Sequence, residues 1–83
     1  MKQASLEIVS LVRFAPMDFE LEQEYIELIK LLKIMGIADT GGMAKAMVEN
    51  DEVQYNGIID NRKRLKVRKG DRIQVHGVEI NVI

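Results

Sequence analysis

The sequence predicts an α+β domain, two short helices in an L packed on a small antiparallel β-sheet. Three observations lead there. Between Tyr25 and Asn50 the apolar residues recur at helical spacing, interrupted at Gly36. From Glu52 onward they fall in short runs separated by Asn56-Gly57, Lys69-Gly70-Asp71 and His76-Gly77, the punctuation of hairpins. The chain has 83 residues, 47% of them apolar, enough for one compact core but not for an enclosed catalytic cavity beside it.

Residues 1–16 read as an N-terminal extension, an extra strand or a flexible arm. Leu6, Ile8, Val9, Leu11 and Val12 suit a strand or a short helix equally. Pro16 punctuates the chain, and residues 17–83 read as the domain proper. Phe19 and Leu21 alternate with Glu20 and Glu22, which predicts a short strand with one wet face. Tyr25 to Met35 follows as a helix, with Leu28, Leu31, Leu32 and Met35 inward and Ile26, Ile29 and Ile34 widening the stripe. Gly36 suits the left-handed residue that ends a helix. Asp39 or Thr40 then caps a second helix, roughly Gly41 to Asn50, with Ala44, Met47 and Val48 inward. The joint between the two is short, so they should cross steeply. Val53-Gln54-Tyr55 and Ile58-Ile59 flank Asn56-Gly57, whose two residues suit the positive φ of a tight hairpin. A basic run follows, then strands over Arg72–Val75 and Val78–Ile83.

Composition removes several function classes. Without cysteine the chain builds neither a disulfide framework nor a thiolate metal site. No metal site or cofactor is expected from its one histidine, His76, which sits at a predicted turn. No nucleophile–base pair emerges, so no catalytic residue is assigned and the chain is not expected to be an enzyme. The acidic cluster Glu20, Glu22, Glu24 and Glu27 reads as solvation and dipole complement rather than a metal site. The most hydrophobic stretch, Ile26 to Ile37, carries Glu27, Lys30 and Lys33 and is too short to cross a bilayer. With no apolar leader either, a cytoplasmic location without a membrane partner is expected.

A net charge of −1 conceals an uneven distribution. Residues 1–43 hold four basic and seven acidic side chains, and residues 44–83 hold eight and six. Within residues 62–72 seven basic residues meet one acidic residue, Asp71. A polyanion responds to that local field, because charges beyond about 8 Å are screened at physiological salt. If Arg62 to Arg68 is extended, Arg62, Arg64, Lys66 and Arg68 share one face while Leu65 and Val67 anchor the other. Such a comb, mostly arginine, suits phosphates and unpaired bases. The competing reading is a charged edge strand protected from aggregation, which would more commonly mix signs. Lys63 and Lys69 add to the run.

A second candidate is the predicted helix start Thr40-Gly41-Gly42, with Lys45 one turn on. Glycines there leave backbone N–H groups open to an anion, although Asp39 opposes one and the P-loop spacing is absent. Alone, this pattern reads better as an ordinary capped helix. Tyr25 and Tyr55 have rings that can stack on bases, but packing beside the hairpin is the plainer role.

The order of these features resembles the αL RNA-binding motif of the S-four-like family, first named for a small-subunit ribosomal protein. It is most similar to the family's small stand-alone bacterial members. The residues that carry the likeness are Ile26-Glu27-Leu28, Leu31-Leu32-Lys33, Gly36, Thr40-Gly41-Gly42-Met43-Ala44-Lys45, Asn56-Gly57 and Arg62-Lys63-Arg64, within roughly Met17 to Val75. The resemblance implies non-catalytic binding of structured RNA, ribosomal or transfer RNA, mainly through phosphates, with ribosomal particles as further partners. It implicates Lys30, Lys33, Thr40, Gly41, Gly42, Lys45, Arg62, Lys63, Arg64, Lys66, Arg68 and Lys69. The wider family places arginines at the starts of both helices; here Glu27 and Gly41 stand there, which moves weight onto residues 62–68. One alternative is a protein-interaction module whose basic edge meets an acidic partner in a ribosome-associated complex. Another is an accessory subunit holding a nucleotide or other anion at Gly41-Gly42.

Overall fold

A computed structural model describes residues 15–83. In chain order they form β1 (Ala15–Phe19), β2 (Ile26–Glu27), α1 (Leu28–Ile34), α2 (Gly41–Glu49), β3 (Val53–Tyr55), β4 (Ile58–Ile59), β5 (Lys66–Val67), β6 (Arg72–Val75) and β7 (Val78–Val82). Five strands make one sheet in the order β1-β7-β6-β3-β4, and β2 with β5 makes a separate two-stranded ribbon. The α+β class is as predicted. The sheet is mixed rather than wholly antiparallel, because β1 runs parallel to β7, with Met17 opposite Ile80.

β1 crosses the boundary expected between residues 16 and 17. Its position also corrects the strand expected over Phe19–Glu22, which lies further back in the chain. Pro16, lacking an N–H, is tolerated because β1 is an edge strand. The rest of the 1–16 extension lies outside the described residues. Beyond β1 the chain still touches the sheet, since the Leu21 N–H donates to the Ile83 carbonyl at 2.7 Å and Leu21 is buried.

The first helix starts later than its periodicity predicts. Ile26 and Glu27 pair with Val67 and Lys66 instead of coiling. Glu27, at the cap position, makes no side-chain cap. The first orphan donor, Leu28 N–H, goes to the Leu65 carbonyl at 2.9 Å, so the ribbon does the capping. The helix ends as expected at Gly36, whose φ of +77° permits a Schellman closure: Gly36 N–H to Lys33 and Ile37 N–H to Leu32, both at 3.0 Å. In the second helix Thr40 is the cap, its Oγ1 accepting from Met43 N–H at 3.1 Å. Asn56 and Gly57 both take positive φ, as the hairpin requires.

Leu28, Leu31 and Leu32 from α1 pack with Ala44, Met47 and Val48 from α2. They meet Val53, Val67, Ile73, Val75, Ile80 and Val82 from the strands. Met35 and Ile29 are only half-buried, and Ile34, expected to widen the buried stripe, is 54% exposed. α1 therefore has one buried face and one open face. No helix among the described residues is long and apolar enough to cross a membrane.

Candidate nucleic-acid interface

Only Lys66 and Val67 of the basic run are strand, which corrects the expectation of an extended Arg62–Arg68. Lys63 and Arg64 form a turn, with Leu65 N–H reaching back to the Arg62 carbonyl. The reason is local. Asp60 accepts from the Arg62 backbone N–H at 3.0 Å and grips its guanidinium, with Nη2 at 2.7 Å from Oδ2, which bends the chain into the turn. The alternation that matters survives: Leu65 and Val67 are buried, while Arg64, Lys66 and Arg68 are exposed. Arg62, Arg64, Lys66 and Arg68 still converge, with Tyr55 and Leu65, on one open depression of about 480 Å³. The predicted comb is a ring of cations around a shallow dish.

That dish is held from below by Asp71. Its carboxylate accepts from Tyr55 Oη at 2.7 Å, from Arg68 backbone N–H at 2.8 Å and from Asn56 Nδ2 at 3.3 Å. Asn56 in turn accepts from Arg72 N–H through Oδ1 at 2.7 Å. Partial burial pushes the Asp71 carboxyl up, but the donors on it outweigh burial and hold it below the usual carboxylate range. The same contact raises the Tyr55 phenol, chiefly through its hydrogen bond to Asp71 and then through burial. Asp71, the one acidic residue of the basic segment, is thus a strut. Sequence reasoning treated it only as a turn residue; the signal available was its place between Gly70 and a strand start.

The cations are not equally available. Arg62 is committed to Asp60, and the pairing raises the guanidinium and lowers the carboxyl, each mainly through their hydrogen bond. Lys63 reaches Glu49 in the last turn of α2 at 3.1 Å. Arg64–Glu27 and Arg68–Glu24 are long pairs of 4.0 and 3.9 Å, exposed and therefore weak. Among the described residues, Lys66 and Lys69 have no carboxylate within ion-pair distance. The Lys66 ammonium lies 4.8 Å and the Arg68 guanidinium carbon 5.7 Å from the Tyr25 ring centroid, a cation–π arrangement.

The remaining predicted residues fall elsewhere. Lys30 and Lys33 are exposed on α1. Gly41 sits beside Lys33: a Cβ there would lie 3.9 Å from the lysine Cδ. Thr40, Gly42 and Lys45 complete this group at the start of α2. The basic run, however, is bound to Glu27 and Leu28 at the other end of α1. A seven-residue helix separates the two groups by roughly 10 Å, with Lys30 between them. His76 meets Glu52 at 2.6 Å at the turn between β6 and β7. No cluster of three metal-ligating side chains occurs among the described residues.

Comparison with known proteins gives a consistent setting. The S4 domain family matches residues 19–83. The chain is 30% identical to YbcJ of Escherichia coli (strain K12) over 59 residues, 71% of this chain and 84% of that one. It is 35% identical over 57 residues, 69% of this chain and 80% of the other, to RlbA of Bacillus subtilis (strain 168), named a probable ribosome maturation protein. The solution structure of YbcJ from E. coli, described as revealing an αL motif involved in RNA-binding, superposes with a TM-score of 0.59 at 30% identity, covering 77% of this chain and 85% of that one.

Proposed function

The chain belongs to the S4 domain family, and we propose that it binds structured RNA without catalysing a reaction, chiefly through phosphates. The observation that carries this reading is the convergence of Arg62, Arg64, Lys66 and Arg68 on one open depression. Phosphate oxygens suit such a ring because each cation can approach a different one, and three of the four are guanidinium forks. The RNA-binding αL motif of YbcJ supports the ligand class, and the name of RlbA favours ribosomal over transfer RNA. Lys30 extends the surface along α1 towards Lys33 and Lys45. A cytoplasmic location accords with this role.

The test is salt dependence of binding to a hairpin RNA. Neutralising about four phosphates gives a log–log slope of about −3 to −4. Replacing Arg64, Lys66 and Arg68 together by Ala should flatten the slope by about two to three units; an unchanged slope rejects the surface. Single changes grade the residues. Lys66→Ala should weaken binding about tenfold and Arg62→Ala about threefold, because Arg62 must first leave Asp60.

A further inference from the structure

The cations end at Tyr25, and on that side a groove of about 710 Å³ opens between the chain before β2 and the exposed face of α1. Phe19, Ile26 and Ile34 supply apolar lining, while Gln23, Glu24, Glu27 and Lys30 supply polar groups. Resting on the RNA-binding reading, we propose that this groove receives one unpaired nucleobase of the bound RNA, stacked on Tyr25 and chosen for an amino group on its pairing edge.

Four features select that occupant. The volume lies in the roughly 300–1,000 Å³ range of small-ligand sites, and a base fills only part of it. Tyr25 is 37% exposed, so an aromatic surface stands beside the Lys66 and Arg68 cations. A partly exposed ring with cations against it offers the pairing that single-stranded nucleotides need, one group for the phosphate and one for the base. The groove is also continuous with the basic run: Glu24 and Glu27 line it and are the residues that reach Arg68 and Arg64. Finally, two carboxylates at its wall accept hydrogen bonds from N–H donors, while Lys30 on the same lining can donate to a ring carbonyl such as guanine O6. Guanine offers its ring N1–H and amino group side by side to one carboxylate, and adenine and cytosine offer an amino group. Uracil presents two carbonyl oxygens around a single N–H, so the carboxylates disfavour it. The long Arg–Glu pairs can exchange when RNA arrives, each arginine taking a phosphate as its glutamate turns to the base.

The experiment compares hairpin RNAs that are identical except for one bulged nucleotide, G, A, C or U, with the fully paired stem. The intact chain should bind the bulged-G stem about tenfold more tightly than the paired stem, with bulged U close to the paired value. Tyr25→Ala should bring the ratio of bulged to paired affinity to near one, and Tyr25→Phe should keep it. Glu27→Gln with Glu24→Gln should erase the order among bases while keeping a preference for a bulge. A ratio near one in the unaltered protein overturns the groove assignment while leaving salt-dependent binding of the paired stem intact. Absence of binding to every stem overturns the groove and the RNA reading together. A preserved ratio in Tyr25→Ala, in protein whose thermal transition matches the unaltered chain, also overturns it.

Discussion

The basic run and the glycine-rich start of α2 both qualify as anion sites on paper, yet the folded chain treats them differently. The run is bolted down. Leu65 and Val67 are buried, β5 pairs with β2, and Asp71 ties the Arg68 backbone to Tyr55 and Asn56. The backbone that carries its cations is consequently held around one depression. The start of α2 has its orientation fixed by Thr40, but that hydroxyl already takes one of the donors an anion would use, from Met43. Asp39 precedes it, Lys33 lies beside Gly41, and Lys45 follows within the helix. A cluster of suitable residues becomes a site when the core holds several charges at one point; open backbone donors alone amount to an ordinary helix end.

The largest test breaks the anchoring itself. Val67 is fully buried opposite Ile26, on the strand that carries Lys66. Val67→Asp would bury an unpaired carboxylate and should cost more than about 3 kcal/mol in urea denaturation, a large share of the stability of so small a domain. Lys45→Ala, on the exposed face of α2, should change stability by less than about 0.5 kcal/mol. If the Val67 variant unfolds at the same urea concentration as the parent, the run is not core-anchored and the contrast collapses.

A second test acts on the Asp71 strut through pH. Its folded pKa lies below the unfolded carboxylate value of about 3.9. The contribution is therefore complete above that pH and is lost as pH falls through the lower, folded value. Asp71→Asn removes the charge from the acceptor and should cost about 1–2 kcal/mol at neutral pH. The variant's stability should then fall less steeply than the parent's below pH 4, as followed by thermal melts between pH 2.5 and 6. Parallel profiles would mean that Asp71 does not hold the dish.

Much of this was legible in the sequence, for reasons that particular residues make plain. Asn56-Gly57 and Gly36 were readable because positive φ restricts residue choice locally. The inward faces Leu28, Leu31, Leu32 and Ala44, Met47, Val48 were readable because period 3.6 is a strong signal. Most of what escaped depends on partners distant in the chain. Ile26 and Glu27 continue a perfect helical pattern, but Val67 and Lys66, forty residues on, recruit them into a ribbon. β1 pairs with the other end of the described chain, and no local pattern announces a parallel partner. For the site, the cations and their alternation were visible. Their commitments were not: the Asp60 grip on Arg62 and the reach of Lys63 to Glu49 are tertiary facts or rotamer choices that set how much charge each residue can offer.

The smallest expected effect bears on the weaker partner of the comparison. Thr40→Ala removes the cap of α2 and should cost about 1 kcal/mol, while Thr40→Ser should cost much less because the accepting oxygen remains. Losing the cap also frees the Met43 N–H, so the variant presents more unpaired donors at Gly41–Met43 than the parent does. If this helix start were an anion site masked by its own cap, inorganic phosphate would bind the variant and restore its melting temperature, since any ligand that binds only the folded state stabilises it by mass action. The cap reading predicts instead the same deficit in phosphate and in chloride at equal ionic strength. A phosphate-specific rescue of even half the lost stability would promote Thr40–Lys45 to a site in its own right. One RNA would then have to bridge the roughly 10 Å of α1 between the two groups to reach both.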